Sequence, residues 1–160
     1  MPELFNASDI LEAAIRIEEN GEVFYRDMAK KVKDVQVRQV FELLANENVK
    51  HQRIFADLLA QVDDTKPLEE YSGEYMDYLY AFADHHVFNQ ENMGRLKAKQ
   101  IKTTRQALKF AIQIELDSLL FYLDAKNLVP EAQAEVISRI LEEERRHYLK
   151  LQKMKNDLKL

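Results

Sequence analysis

Apolar residues recur at helical spacing from Ser8 or Asp9 to about Lys33, and Glu12 follows Asp9 by three positions, so the pattern predicts a first long helix with a reasonable start signal. Asp34 interrupts the pattern and is suited to cap a second helix. That helix carries the stripe Phe41, Leu44, Asn48, His51, Phe55, Leu58, Val62, in alternating steps of three and four. Between positions 63 and 102 the pattern loosens. Pro67 and Gly73 punctuate it, YMDYLYAFADHHVF predicts a short helix, and Gly94 is expected to break a further one, so the segment reads as a long crossover. Thr103 and Gln106 make a capping box that opens a third long helix, running to about Leu128. Pro130 suits the first turn of a fourth, where Glu131 meets the positive end of the helix dipole. The fourth stripe is Ile137, Ile140, Glu144, His147, Leu151, Met154, Leu158.

Two of these helices share a frame. AIRIEENGEVFY (14–25) returns as AIQIELDSLLFY (111–122), with six of twelve positions identical. The offset from Glu18 to Glu115 is 97 (115 − 18), and from His51 to His147 it is 96 (147 − 51). The chain therefore reads as two related helical hairpins, and two hairpins packed together make a four-helix bundle. Two units are too few for a solenoid. The long link is expected to let the second hairpin start at the end of the bundle where the first one started.

Composition narrows the class. The 160 residues are 46% apolar and 32% charged with only three Gly and three Pro, which fits a single all-α domain over 1–160. A net charge of −5 argues against nucleic acid as the main partner, because phosphate binding needs a concentrated basic face. Glu3, Asp9, Glu12, Glu18 and Glu19 fit neither a signal nor a transit peptide, and no apolar run approaches a membrane span. A cytoplasmic location is expected. With no Cys, disulfides, thiolate metal sites and cysteine nucleophiles are excluded.

The candidate chemistry lies where the stripes turn polar. Glu144 and His147 stand three apart on one helical face, in consecutive places of an otherwise apolar stripe. A buried carboxylate and a buried imidazole are costly without compensation, and a metal ion compensates by taking both as ligands. One E-x-x-H is a weak signal, since such pairs are common on helix surfaces. Here it is joined by Glu18 on the row Leu11, Glu18, Tyr25, Val32 and by Glu115 on the row Leu108, Glu115, Tyr122, Val129, each on the flank of a buried face. Tyr25 and Tyr122 could send their hydroxyls to these carboxylates. A Glu from each of two helices with E-x-x-H sequences on the other two is the pattern of a di-metal carboxylate bundle. His85 and His86 fall outside the duplicated frame and are expected at an interface or in solvent. Tyrosines 71 to 80 and Met93 are expected to pack the crossover onto the bundle.

Through AIRIEENGEVFY, LLANENVKH, AIQIELDSLLFY and ILEEERRH the chain resembles the rubrerythrin-like branch of the ferritin-like superfamily, over nearly its whole length. The resemblance implies two metal ions held by Glu18, His51, Glu115, Glu144 and His147. Glu18 and Glu115 would each bind one ion, Glu144 would bridge, and each His would complete one coordination sphere. It implies iron first, while oxygen and nitrogen donors also suit manganese or zinc. It further implies that Glu18, Glu115 and Glu144 carry a reduction of peroxide or dioxygen, and that the assembly is a homodimer. No four-cysteine rubredoxin module is present, so electrons would come from a separate donor.

Two positions depart from the family pattern. Asn48 replaces the Glu three residues before His51, and Ser118 stands where rubrerythrins carry a further Glu. Two divalent ions bring four positive charges against three matched glutamates, so unequal sites are expected. Glu47, on the row Val40, Glu47, Ile54, is the candidate substitute ligand, whereas the row of Glu143 looks more exposed. Rival readings are a non-catalytic bundle acting in oligomerisation or partner binding, and an iron-binding ferroxidase.

Overall fold

The structure, a computed structural model, describes residues 7–62, 73–85 and 92–160, apart from the side chains at 76, 79, 80 and 83–85. Among these residues every regular element is helical: α1 (Ala7–Lys31), α2 (Val35–Ala60), α3 (Gly73–His85), α4 (Met93–Gln100), α5 (Thr104–Asn127) and α6 (Glu131–Asp157). Local side-chain signals set the starts of α2 and α5. The Asp34 carboxylate accepts the Val37 N–H at 3.0 Å and starts α2. At α5, Thr103 Oγ1 accepts the Gln106 N–H while the Gln106 side chain accepts the Thr103 N–H, so the capping box closes in both directions. Pro130 stands one place earlier than the sequence suggests, as the N-cap of α6 rather than inside its first turn.

The long helices α1, α2, α5 and α6 form a ferritin-like four-helix bundle around two apolar clusters. One gathers Phe24, Phe41, Leu108 and Leu151, and the other gathers Ile10, Leu11, Phe55, Ile137 and Leu141. The second half of α1 thus meets the first half of α5, and the first half of α1 meets the second half of α5. The two helices are antiparallel, as are α2 and α6. The second hairpin consequently starts where α1 ends, at the opposite end of the bundle from the start of the first hairpin. This reverses the expectation from the sequence. A short turn after α2 would have started α5 beside the start of α1, whereas the crossover carries the chain back along the bundle first.

The crossover is fastened to both hairpins. Tyr75 and Tyr78 donate their hydroxyls to the two oxygens of Asp124 at 3.1 and 3.0 Å, and Phe82 stacks on Phe121. Met93 packs on the first cluster. Gly94 lies inside α4 as its second residue instead of breaking it. Its N–H donates to Asn20 Oδ1 at 3.0 Å, and a Cβ there would come within 2.0 Å of the Asn20 carbonyl oxygen, so the glycine permits the close approach of α4 to α1. Lys31 Nζ then donates to the carbonyls of Ala98 and Ile101 at 2.6 and 2.7 Å, a cation at the negative end of α4. Pro67, Tyr71 and His86 lie outside the described residues, as do the side chains of Tyr80 and His85. No described helix is long and apolar enough to cross a membrane.

Candidate metal centre

Between the two apolar clusters lies a polar layer. Glu18, His51, Glu115 and Glu144 are 0–2% exposed, and His147 is 8% exposed. The helices place them there because the buried face turns polar over a short span between apolar neighbours, between Ile17 and Phe24 on α1, Ala45 and Phe55 on α2, Ile114 and Phe121 on α5, and Leu141 and Leu151 on α6, with Asn20, Asn48 and Ser118 buried beside them. Glu18 and Glu115 are therefore central to the bundle rather than on its flank.

The layer divides into two groups. Glu18, His51 and Glu144 form one, Glu115, Glu144 and His147 the other, so Glu144 belongs to both. In the first group His51 Nδ1 lies 2.9 Å from Glu144 Oε1 and 3.5 Å from Glu18 Oε1. In the second, His147 Nδ1 lies 3.7 Å from Glu115 Oε2 and 3.8 Å from Glu144 Oε2. Two donors held about 2.1 Å from one ion at bond angles of 90 to 109° would stand about 3.0–3.4 Å apart, close to these separations. His51 Nδ1, Glu144 Oε1, Glu115 Oε2 and His147 Nδ1 are all buried without a hydrogen-bond partner. Although the first two approach closely, they are not aligned as donor and acceptor. Orphaned buried donor atoms are costly, and those facing one another across a carboxylate-rich layer are what a pair of cations would satisfy.

Each inner carboxylate on α1 and α5 is held from the other hairpin. Tyr25 donates to Glu115 Oε1 and Tyr122 to Glu18 Oε1, both at 2.5 Å. The exchange follows from the antiparallel register of α1 and α5, in which the tyrosine two turns beyond one glutamate comes level with the other. Burial and the neighbouring glutamates push both phenols well above 10, so they stay neutral donors.

Asn48 is not among the inner donors. In the orientation that satisfies its neighbours, its NH2 donates to Glu18 Oε2 at 3.2 Å and to the Leu44 carbonyl at 3.1 Å, while its oxygen accepts the Glu22 N–H at 3.2 Å. Gly21 makes the space, since a Cβ there would fall 2.2 Å from the Asn48 amide. Nor does Glu47 enter either inner group. It pairs with Lys50 at 2.6 Å and lies on the outer side of His51. The residue that reaches the centre from outside is Glu143, whose Oε2 meets His51 Nε2 at 2.8 Å. The sequence row of Glu143 gave no sign of this, because the contact crosses from α6 to α2. A carboxylate oxygen accepts, so this bond is made by the Nε2–H and leaves Nδ1 as the ring nitrogen that faces the layer.

Without an ion, protons take up the strain of the layer. Burial would lower both imidazoles, but Glu18 and Glu144 push His51 up to about 12, and Glu115 and Glu144 push His147 up to about 10. Burial raises Glu18 and Glu115 above the ordinary carboxylate range, and Glu144 adds to the rise. Burial opposes ionisation of Glu144 as well, yet Glu115 and the two imidazoles hold it below that range, so the shared carboxylate is the anionic centre of the layer.

A sequence model of the rubrerythrin family matches residues 9–155. Among solved structures, a Thermotoga maritima protein described as a ferritin-like diiron-carboxylate protein is similar over 98% of this chain and 98% of its own, at 26% sequence identity and a TM-score of 0.75. No curated protein matches the chain.

Proposed function

Since the chain belongs to the rubrerythrin family, we propose that it is a non-haem di-metal carboxylate protein, with iron as the metal, that reduces peroxide or dioxygen using electrons from a separate donor. The observation that carries this reading is the pair of three-residue groups sharing Glu144, with four buried donor atoms left without partners. Glu18 and His51 would hold one ion, Glu115 and His147 the other, and Glu144 both. The similar Thermotoga protein, described as a diiron-carboxylate protein, supports iron over manganese or zinc.

A bound reduced pair would supply the two electrons that, with two protons, convert hydrogen peroxide into two waters. The chain's own residues prepare that chemistry. Tyr25 and Tyr122 orient Glu115 and Glu18, and the apolar clusters above and below keep bulk water from the layer. Glu143 holds the Nε2 proton of His51, so the proton displaced by an ion leaves from Nδ1. His147 is the most exposed of the five, and entry of a small oxidant from its side is part of this reading. The family likeness also makes a homodimer the expected assembly.

The test is metal analysis of protein purified without chelators, followed by anaerobic reduction and rapid mixing with peroxide. About two ions per chain, oxidised faster by peroxide than by dioxygen, supports the proposal. Oxidation by dioxygen alone with iron retained would favour the ferroxidase reading, and no bound metal would favour a non-catalytic bundle.

A further inference from the structure

We propose that the two ion positions are built unequally: the position of Glu18, His51 and Glu144 is pre-organised by Glu143 and Asn48 and fills first, and that of Glu115, Glu144 and His147 fills second. This rests on the two-ion reading above and assigns an order to it. The argument comes from comparing the hairpins place by place. In the first position every side chain besides the shared Glu144 is held from outside: Tyr122 on Glu18 Oε1, Asn48 on Glu18 Oε2, and Glu143 on His51 Nε2. In the second, Tyr25 holds Glu115 Oε1, but Glu115 Oε2 has no partner.

The duplication shows what is missing. The offset of 96 that relates His51 to His147 also relates Glu47 to Glu143 (143 − 47), so Glu47 is the residue that would hold His147 as Glu143 holds His51. Instead Glu47 is engaged by Lys50 at 2.6 Å, and among the described residues no carboxylate grips the outer side of the His147 ring. The donor spacings agree, being 2.9 and 3.5 Å around His51 and 3.7 and 3.8 Å around His147. An outer hydrogen bond fixes ring orientation and raises ligand basicity, and its loss typically lowers metal affinity about 10- to 100-fold. Glu143 and Asn48 are thus positioning residues of one half of the centre.

Calorimetric titration of metal-free protein with cobalt(II) tests this without any turnover. The wild-type protein should show two steps at least about tenfold apart, and His147→Ala should keep the tight step and lose the weak one. Glu143→Ala should weaken the tight step about 10- to 100-fold and spare the weak one. Glu143→Gln, which keeps an acceptor for Nε2–H, should recover most of the loss, and Glu47→Ala should change neither step. The side chain of Glu143 is 39% exposed, so its removal leaves the fold intact, which circular dichroism checks. Two equal steps in the wild type, a Glu143→Ala effect on both steps or on neither, or an equal effect of Glu47→Ala would overturn the assignment and leave the two-ion reading standing. No cobalt bound by the wild type would overturn both.

Discussion

Raising the pH of metal-free protein from 6 to 9 should unfold it progressively, because its fold holds protons that the unfolded chain releases. His51 is lifted from 6.5 to about 12 and His147 from 6.5 to about 10, since Glu18, Glu115 and Glu144 outweigh the burial that would lower them. A group whose folded value is raised contributes its full stabilisation below the unfolded value and loses it as pH climbs toward the folded one. The window therefore opens near pH 6.5 and extends to about 10 for His147 and about 12 for His51. Within it each histidine removes about 1 kcal/mol of stability per pH unit, so the pair removes several kcal/mol between pH 7 and 9, a large part of a typical total of about 5–15 kcal/mol. Glu18 and Glu115, raised by burial, act in the same direction, from pH 4.5 upward. Glu144, held low, stabilises above 4.5 and loses that contribution as pH falls, so it sets the acid side. Urea unfolding followed by circular dichroism, in EDTA and with saturating cobalt(II), measures the slope. With the ion bound, Nδ1 of each ring has no proton to lose, so the alkaline decline should vanish. A flat profile in EDTA from pH 6.5 to 9, or the same slope in His51→Gln/His147→Gln protein, would refute the reasoning.

Three further outcomes follow from the same geometry. Glu144→Ala should leave far less than one ion per chain by elemental analysis, because both groups share this carboxylate, and should destabilise metal-free protein by about 3–5 kcal/mol by stripping two buried imidazoliums of their common partner; unaltered metal content would contradict the assignment. Tyr122→Phe removes the donor on Glu18 Oε1 and should cost about 1.5–3 kcal/mol in denaturant titration, and Tyr25→Phe a similar amount through Glu115. For Asn48→Glu, charge counting alone favours a gain in bound metal. The structure argues the reverse, because the longer acid must fit against Gly21 and replaces a donor to Glu18 with a like charge, so higher occupancy in this variant would show that Asn48 can be repacked toward the ions.

How much was readable in advance depended on whether the determining contact was local. The caps at Asp34 and Thr103 act over three residues, and the stripes of α2 and α6 follow helical period, so both could be read directly. The polar places in those stripes marked Asn48, His51, Glu144 and His147 as anomalies, and the repeated frame drew in Glu18, Glu115 and the two tyrosines. What sequence could not supply was the pairing across the bundle. Periodicity carries no direction, so nothing in it distinguished a second hairpin starting beside α1's first residue from one starting beside its last. That direction decides which glutamate each tyrosine meets. Gly94 differs from its sequence reading for a related reason: glycine inside a helical pattern suggests a breaker, whereas here its small size serves a close approach to Asn20, a contact separated by 74 residues.

Asn48 and Glu143 illustrate the same limit through charge. Counting along the sequence gives three matched glutamates for four positive charges, and searching the neighbourhood of Asn48 for a fourth points to Glu47. In the folded chain the fourth carboxylate comes from the other hairpin, as Glu143 at His51 Nε2, while the charge of Glu47 is met locally by Lys50. On the proposed two-ion reading, four carboxylates would balance the charge, three as ligands and Glu143 through the imidazole, whose inner nitrogen it would make more basic without giving up its own partly solvated position. The asymmetry that the replacement of Glu by Asn introduces at position 48 is thus compensated on the same half of the centre, not on the half that keeps the Glu. On this reasoning the hairpins have diverged in a complementary way: one supplies the shared carboxylate Glu144 and the outer carboxylate Glu143, and the other supplies the histidine that both of them reach.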